Sequence, residues 1–320
     1  MVTPDYYKKF KCIGADCKNN CCKGGWDIEI DDESFERFKE INGEFGELVM
    51  SSINTEHIFI RQNGSCPLLS PDGWCEMVQH GEKLCVICDE YPRFTEDYDG
   101  YTERGISLSC EAAAQIIIDN DSKLSLTGDT PQSDDEFFNM LYSARNDIIK
   151  ILEDRSISIA KRIRLTLNYG EKLQAQINNN DYSIIKYTPV DNRTDDNDSG
   201  CLFDFLKTLD VLDDKWLKAL DCKKQTEITD DIKIENIALY FVYRYFLKSL
   251  FDCDALSKLK FMAVSVIAVN SLIGVCGNIY ESARLYSIEI EHNEDNIEAI
   301  YDEFLFNDDF STQNIINMIK

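Results

Sequence analysis

The chain has 320 residues, 44% hydrophobic and 28% charged, which suits one large folded unit or two ordinary ones and excludes a peptide-like scaffold. Its 58 acidic residues outnumber 33 basic ones for a net charge of -25, which argues against a non-specific nucleic-acid binder because phosphate affinity needs clustered cations. Thirteen cysteines are too few for a disulfide-rich miniprotein, yet nine of them fall between Cys12 and Cys110.

Residues 1–22 hold no long apolar run and no small-residue cleavage site, so no secretory signal is expected and the protein is assigned to the cytoplasm. Thiols stay reduced there, and clustered cysteines read as metal ligands or reactive thiols before disulfides. The first domain is set at residues 1–125, a loop-rich Cys-rich head punctuated by turns such as Asn63-Gly64, Pro71-Asp72-Gly73 and Asp99-Gly100. Within it, Trp26 to Ile30 alternates apolar and acidic as a half-buried strand does. Asp31 or Asp32 caps a helix running to about Ile41, with Phe35 and Phe38 on one face. Two more helices are expected, at Gly46 to Ile53 and at Glu111 to Ile118.

A polar stretch from Asn120 to Asp135 separates this head from the second domain, residues 126–320, an all-α bundle. Phe137, Met140, Leu141, Ala144, Ile148 and Ile151 recur at helical spacing, as do Ile159, Ile163 and Leu167. Further helices are expected at 202–220, 232–251, 256–273, 277–290, 295–304 and 311–319, with a mobile acidic loop at Pro189 to Gly200. The fold class is therefore mainly α, with little strand. The apolar run Phe261 to Cys276 is interrupted by Asn270, Ser271 and Gly274 and is too short to span a membrane, so it reads as a buried core helix.

The head cysteines run Cys12, Cys17, Cys21, Cys22, Cys66, Cys75, Cys85, Cys88 and Cys110. Cys85 and Cys88 stand two residues apart, so two thiolates on one tight turn can converge on a metal. The adjacent Cys21 and Cys22 are expected to diverge, only one of them facing a given metal. Three readings stay open on the residues: an iron-sulfur cluster, which tolerates irregular spacing and an apolar shell such as Trp26, Trp74, Tyr91 and Phe94; a four-cysteine zinc site; or thiols that are packed or oxidised. Cys201, Cys222, Cys253 and Cys276 lie on helical patterns without partners and read as buried apolar residues.

Taken together, Phe10 to Cys17, Cys21 to Ile28, Cys66 to Leu69, Trp74-Cys75, Cys85 to Arg93 and Ser107 to Cys110 resemble the flagellin lysine-N-methylase family over the first third of the chain. The resemblance implies methyl transfer from S-adenosylmethionine to lysine ε-amino groups of flagellin, with a 4Fe-4S cluster in the head and flagellin as protein partner. One departure is Glu111, where the family pattern has proline. Neither a Gly-rich Rossmann loop nor the Cys-x3-Cys-x2-Cys motif of radical enzymes occurs, since position 24 is glycine. The cofactor would then bind in another way, plausibly through its amino and carboxylate groups at an open iron.

Arg93, on the Tyr91-Pro92-Arg93 turn beside Cys88, is a candidate for the cofactor carboxylate or for Asp89 or Glu90, and Tyr91 stands with it. Glu103, next to Arg104 and just before Cys110, is a third cofactor-side candidate, with a surface ion pair to Arg104 as its ordinary alternative. His57, His80 and His292 form no ligand pair, and no nucleophile elbow or Ser-His-Asp order supports hydrolysis. The runner-up function is a metal-chelating or redox Cys module, with zinc or iron-sulfur and no methylase activity. No membrane or nucleic-acid partner is expected, and catalytic residues are not assigned.

Overall fold

Apolar residues at helical spacing after residue 126 fold as helices, while the head folds as short helical turns around one hairpin, so the protein is mainly α. The computed structural model describes all residues except 25, 99, 130, 132, 196–198, 224–226 and 229–231. Parts of the Asp99-Gly100 turn and of the Pro189 to Gly200 loop thus lie outside the described residues.

The head begins with β1 (Thr3–Pro4), followed by α1 (Asp32–Lys39) and α2 (Gly43–Ser51). The alternation at residues 26–30 holds in burial, with Ile28 and Ile30 inside and Asp27 and Glu29 outside, but it yields one bridge from Glu29 to Ile58, not a full strand. Two short helices, α3 (Glu76–Gln79) and α4 (Val86–Glu90), carry the later cysteine loops. An antiparallel hairpin follows, β2 (Arg93–Tyr98) and β3 (Tyr101–Ile106), with Arg93 opposite Ile106 and Tyr98 opposite Tyr101. Then come α5 (Glu111–Ile118) and β4 (Leu126–Thr127), which pairs with β1.

The second part holds α6 (Glu136–Leu152), α7 (Ile159–Asn178), α8 (Gly200–Leu206), α9 (Asp214–Cys222), α10 (Ile232–Tyr245), α11 (Ser249–Asp252), α12 (Ala255–Cys276), α13 (Ile279–Tyr286), α14 (Glu294–Phe306) and α15 (Thr312–Met318). One helix was expected over 202–220, and two are found. The buried Glu289 carboxylate accepts from the Leu212 and Asp213 N–H groups at 2.9 Å each, and Asn296 binds the Asp210 backbone in both directions, so the chain is caught between α8 and α9. Asp213 then caps α9.

α12 is apolar all round and sits at the centre, packed on α7, α10 and α13, with 78% of its most apolar window buried inside the protein. Gly170 of α7 lets Leu259 approach closely: a Cβ there would stand 2.7 Å from its Cδ1. This large core also takes in Val2, Tyr6 and Phe10, the hairpin's Tyr98, Tyr101 and Ile106, and the alanine face of α5. A separate small core joins Ile28, Ile30, Phe38, Val49, Phe59, Leu68 and Met77 with Cys66 and Cys85. The hairpin and α5 thus pack into the same core as the later helices.

Buried charge fastens the two parts. Glu103 of β3 receives Arg145 of α6 in a two-bonded pair at 2.6 and 2.7 Å, with the Tyr101 hydroxyl donating at 2.6 Å. After α13 the helix widens into a π turn over Ser287–Glu291. Its Glu291 accepts from Tyr240 and Tyr245 at 2.8 Å and pairs with Arg244 at 3.1 Å, and Arg244 in turn donates to Ser107 at 3.1 Å. The segment leading to Cys110 is held on the helices in this way.

The distal cysteines correct the sequence expectation. Cys222 and Cys253 are exposed, and Cys201 and Cys276 are half-buried. Cys222 and Cys276 are the last residues of their helices, and Cys253 takes a left-handed conformation (φ 58°) just after α11. Helix ends lie where the chain turns toward solvent, which the apolar periodicity did not register.

Candidate functional site in the cysteine-rich head

Short backbone bonds bring the cysteine loops together. The Cys66 N–H donates to the Cys22 carbonyl at 2.7 Å, Glu76 N–H to Leu68 at 2.9 Å, and Asp89 N–H to Cys85 at 3.0 Å, closing the turn of α4. The Asn20 side chain caps the turn of Cys21–Lys23 through Cys22 N–H and donates to the Gly73 carbonyl at 3.0 Å. Asp31 serves two turns at once: one oxygen accepts from Ser34 N–H, capping α1, and the other from Val86 N–H at 3.0 Å, capping the Cys85 turn.

These N–H donors, Val86 first, hold the Asp31 carboxyl down at about 2 from its ordinary 3.8. A depressed carboxylate contributes stability that is present above about pH 4 and is lost as the pH falls toward 2. The Asp31→Ala variant should lose about 1 kcal/mol. Urea titrations at pH 7 and pH 3 should show a smaller gap between wild type and Asp31→Ala at the lower pH.

Gly14 (φ +54°) lies on Trp74: a Cβ there would stand 2.2 Å from the indole ring. Only glycine allows both the left-handed turn and this contact. Gly14→Ala is expected to cost about 1–3 kcal/mol in strain and to push Trp74 outward, read as a red shift in tryptophan emission.

The thiols then influence one another. The Cys22 thiol is raised by its interaction with Cys21 and Cys66, while Cys21 falls to about 7 and Cys66 is lowered. Cys88 is likewise raised by its bond to Cys85, which is lowered. Burial raises Cys75, which feels Cys66 and Cys21. The thiols at 21, 22, 66, 75, 85 and 88 thus act on one another electrostatically.

Cys17 and Cys110 have further neighbours. Cys110 is raised by burial and feels Cys21 and Cys12. Cys17 donates to Glu111 Oε2 at 3.6 Å, and burial, then Glu111, push it up to about 12. Among the described residues no group of three His, Cys, Asp or Glu is gathered to hold one metal ion. The donor set is nonetheless soft, with Cys66 and Cys85 buried and Cys21, Cys22, Cys75 and Cys88 half-buried, and soft thiolates are the ligands that iron-sulfur clusters use.

The three cofactor-side candidates separate. Tyr91 lies beside the thiols, packed against Trp26 (ring centroids 5.6 Å) and His292 (6.3 Å), with its hydroxyl 3.3 Å from Ser109; burial raises its phenol, and Cys110 and Cys21 act on it. Arg93 binds the Asp89 carbonyl at 2.9 Å and covers the Phe10 ring, not a carboxylate of Asp89 or Glu90. Glu103 is buried against Arg145 and Tyr101, and Arg104 pairs with Glu90 instead, so the expected surface pair of Glu103 with Arg104 is not formed. A desolvated carboxylate needs a cation, and α6 supplies one that sequence distance concealed.

Sequence reasoning missed a cavity of about 320 Å³ where the head meets α5 and α13, lined by residues that include Asn19, Glu111, Gln115, Tyr280, Glu281 and Arg284. Glu111 drew notice only as a departure from a family pattern. Nothing in the sequence joins it to α13.

Fold and site together define a mainly α protein with a cysteine-rich head packed on a helical body. Comparison with known proteins gives a more particular likeness. The chain is 22% identical over 146 residues to the lysine-N-methylase of Salmonella typhimurium (strain LT2) and equally to that of Salmonella choleraesuis (strain SC-B67). Each match covers 41% of this chain and 35% of the relative, so only about a third of the relatives' length is represented. No family model matches the chain, and no solved structure resembles it significantly.

Proposed function

We propose that this protein is a lysine N-methyltransferase that moves methyl groups from S-adenosylmethionine to lysine ε-amino groups of flagellin, with a 4Fe-4S cluster in the head. The observation that carries this reading is the drawing together of the cysteine loops: those at Cys21-Cys22 and Cys66, far apart in sequence, are tied by a backbone bond from Cys66 N–H to the Cys22 carbonyl. The likeness to two lysine-N-methylases supports the same conclusion.

Cys12, Cys17, Cys21, Cys22, Cys66, Cys75, Cys85, Cys88 and Cys110 are the residues from which the cluster would draw its ligands, at most four at once and one fewer where an iron is left open. When bound, the cluster would supply an iron with an open position for the amino and carboxylate groups of the cofactor. This chain's part is to keep the thiols apart from solvent and to pack Tyr91 and Trp26 over them. Arg93 stays within the same turn as a candidate for the cofactor carboxylate.

Metal analysis of anaerobically purified protein tests the proposal: iron and sulfide in equal amounts support it, and one zinc without sulfide removes it. Adding S-adenosylmethionine to the loaded protein should change its electron spin resonance spectrum.

A further inference from the structure

α14 starts at the cysteine-rich head and ends in an exposed apolar pair. Its N-cap Asn293 follows His292, whose ring lies 5.8 Å from that of Trp26 and 6.3 Å from that of Tyr91. From there the helix runs 13 residues, about 20 Å at the usual rise, to Leu305 and Phe306. It buries Ile300 and Phe304 on one side, whereas Leu305 and Phe306 are 59% and 83% exposed, and Phe306 is the most exposed large hydrophobic among the described residues. Isolated exposed apolar side chains are ordinary; an adjacent pair of large ones marks a surface that a partner can cover.

The exposed face between the two ends is acidic. Asp295, Glu298, Asp302 and Asp309 fall in line with Leu305 and Phe306 at three- and four-residue spacing, with Glu294 and Asp308 exposed beside them. No Lys or Arg occurs between Arg284 and Lys320, and the last turn of α14 has no basic residue. Two cations lie beneath the helix, both buried. Lys260 donates to the Phe304 carbonyl at 3.1 Å, and Lys258 pairs with Asp252 and covers the Tyr301 ring, so neither pairs with the outer carboxylates. Free carbonyls already make a helix C-terminus negative, so carboxylates gathered there favour a cation brought from outside.

A second copy of this chain is a poor occupant, because it carries the same net charge of -25. A lysine-bearing segment of another protein matches both the charge and the apolar pair. Resting on the methylase reading, we propose that the outer face of α14 is the docking surface for the protein substrate. An apolar side chain of the substrate packs on Leu305 and Phe306, and its lysines lie along Asp302, Glu298 and Asp295 toward the head. Methylated lysine keeps its positive charge, so the same surface holds the segment through successive transfers.

Fluorescence anisotropy on the full chain tests the docking, with a labelled peptide of alternating lysine and leucine as probe. The probe should bind more weakly as salt is raised, and peptides with glutamate for lysine or serine for leucine should bind at least roughly tenfold more weakly. Leu305→Ser with Phe306→Ser, and Glu298→Gln with Asp302→Asn, should each weaken the probe roughly tenfold at an unchanged thermal midpoint, because all four side chains are exposed. Glu44→Gln with Glu47→Gln removes as much charge from exposed positions of α2, and Val190→Ser removes another exposed apolar group; both should bind as wild type does. Equal affinity in every variant, or an equal loss on changing α2, would overturn the proposal. So would light scattering that shows a dimer which Leu305→Ser with Phe306→Ser dissociates.

In methyl-transfer assays the same apolar double variant should raise KM for flagellin roughly tenfold or more with kcat little changed. Methyl transfer at unchanged KM would overturn the docking surface and leave the methylase reading standing. Probe binding that the α14 variants weaken, in a protein that transfers no methyl group, would keep the surface and remove that reading.

Discussion

Replacing Arg145 with alanine is expected to lower the unfolding free energy by about 3–5 kcal/mol, the usual cost of leaving one partner of a buried ion pair alone. Both side chains are almost wholly enclosed, at 0% and 1% exposure, so water cannot solvate the Glu103 carboxylate left behind. Arg145 also lies over the rings of Tyr142 and Tyr243, whose packing would loosen. Because the pair joins β3 to α6, the loss should free the hairpin and, through it, the segment holding Cys110. Urea unfolding measures the energy, and hydrogen exchange at Tyr101 to Ile106 shows where it is lost. The double variant Glu103→Leu with Arg145→Met should regain most of the stability, since two apolar groups need no counter-charge. Equal losses in single and double variants would show that volume, not charge, decides this contact.

Changing Cys66 or Cys85 to serine should have a larger effect on composition than on the helices. Each is buried in the small core and each thiol is made more acidic by a neighbour, Cys22 for one and Cys88 for the other. Serine is a poor ligand for soft metals, so iron and sulfide should fall to near background in either variant. The head, whose core is small, should then melt separately from the helical body, because metal binding and folding are coupled in such regions. Cys253→Ser, at an exposed helix end, should keep full iron content and serves as the control. Full iron in Cys66→Ser and Cys85→Ser alike would exclude these two as ligands.

The helical body was legible because periodic apolar residues bury one face whatever their neighbours are. α5 is found at its expected bounds, and Asp31 caps α1 as its position before Asp32 and Phe35 suggested. The hairpin was not legible as strands: its residues include Glu96, Asp97, Thr102 and Arg104, and what buries β3 is packing on helices far along the chain. The break between α8 and α9 depends on Glu289 and Asn296, again remote in sequence. For the site, cysteine spacing marked the loops, but the backbone bond that ties the Cys66 loop to Cys22 is a tertiary contact that spacing does not reveal. Glu103 shows the same limit, since nearness to Cys110 in sequence gave no hint of Arg145.

The most direct measurement is transfer of a labelled methyl group from S-adenosylmethionine to flagellin by iron-loaded protein, with each lysine followed by mass spectrometry. The account predicts labelled lysines with loaded protein and none with the Cys66→Ser variant. Flagellin that stays unlabelled, or is labelled equally by the variant, would contradict it.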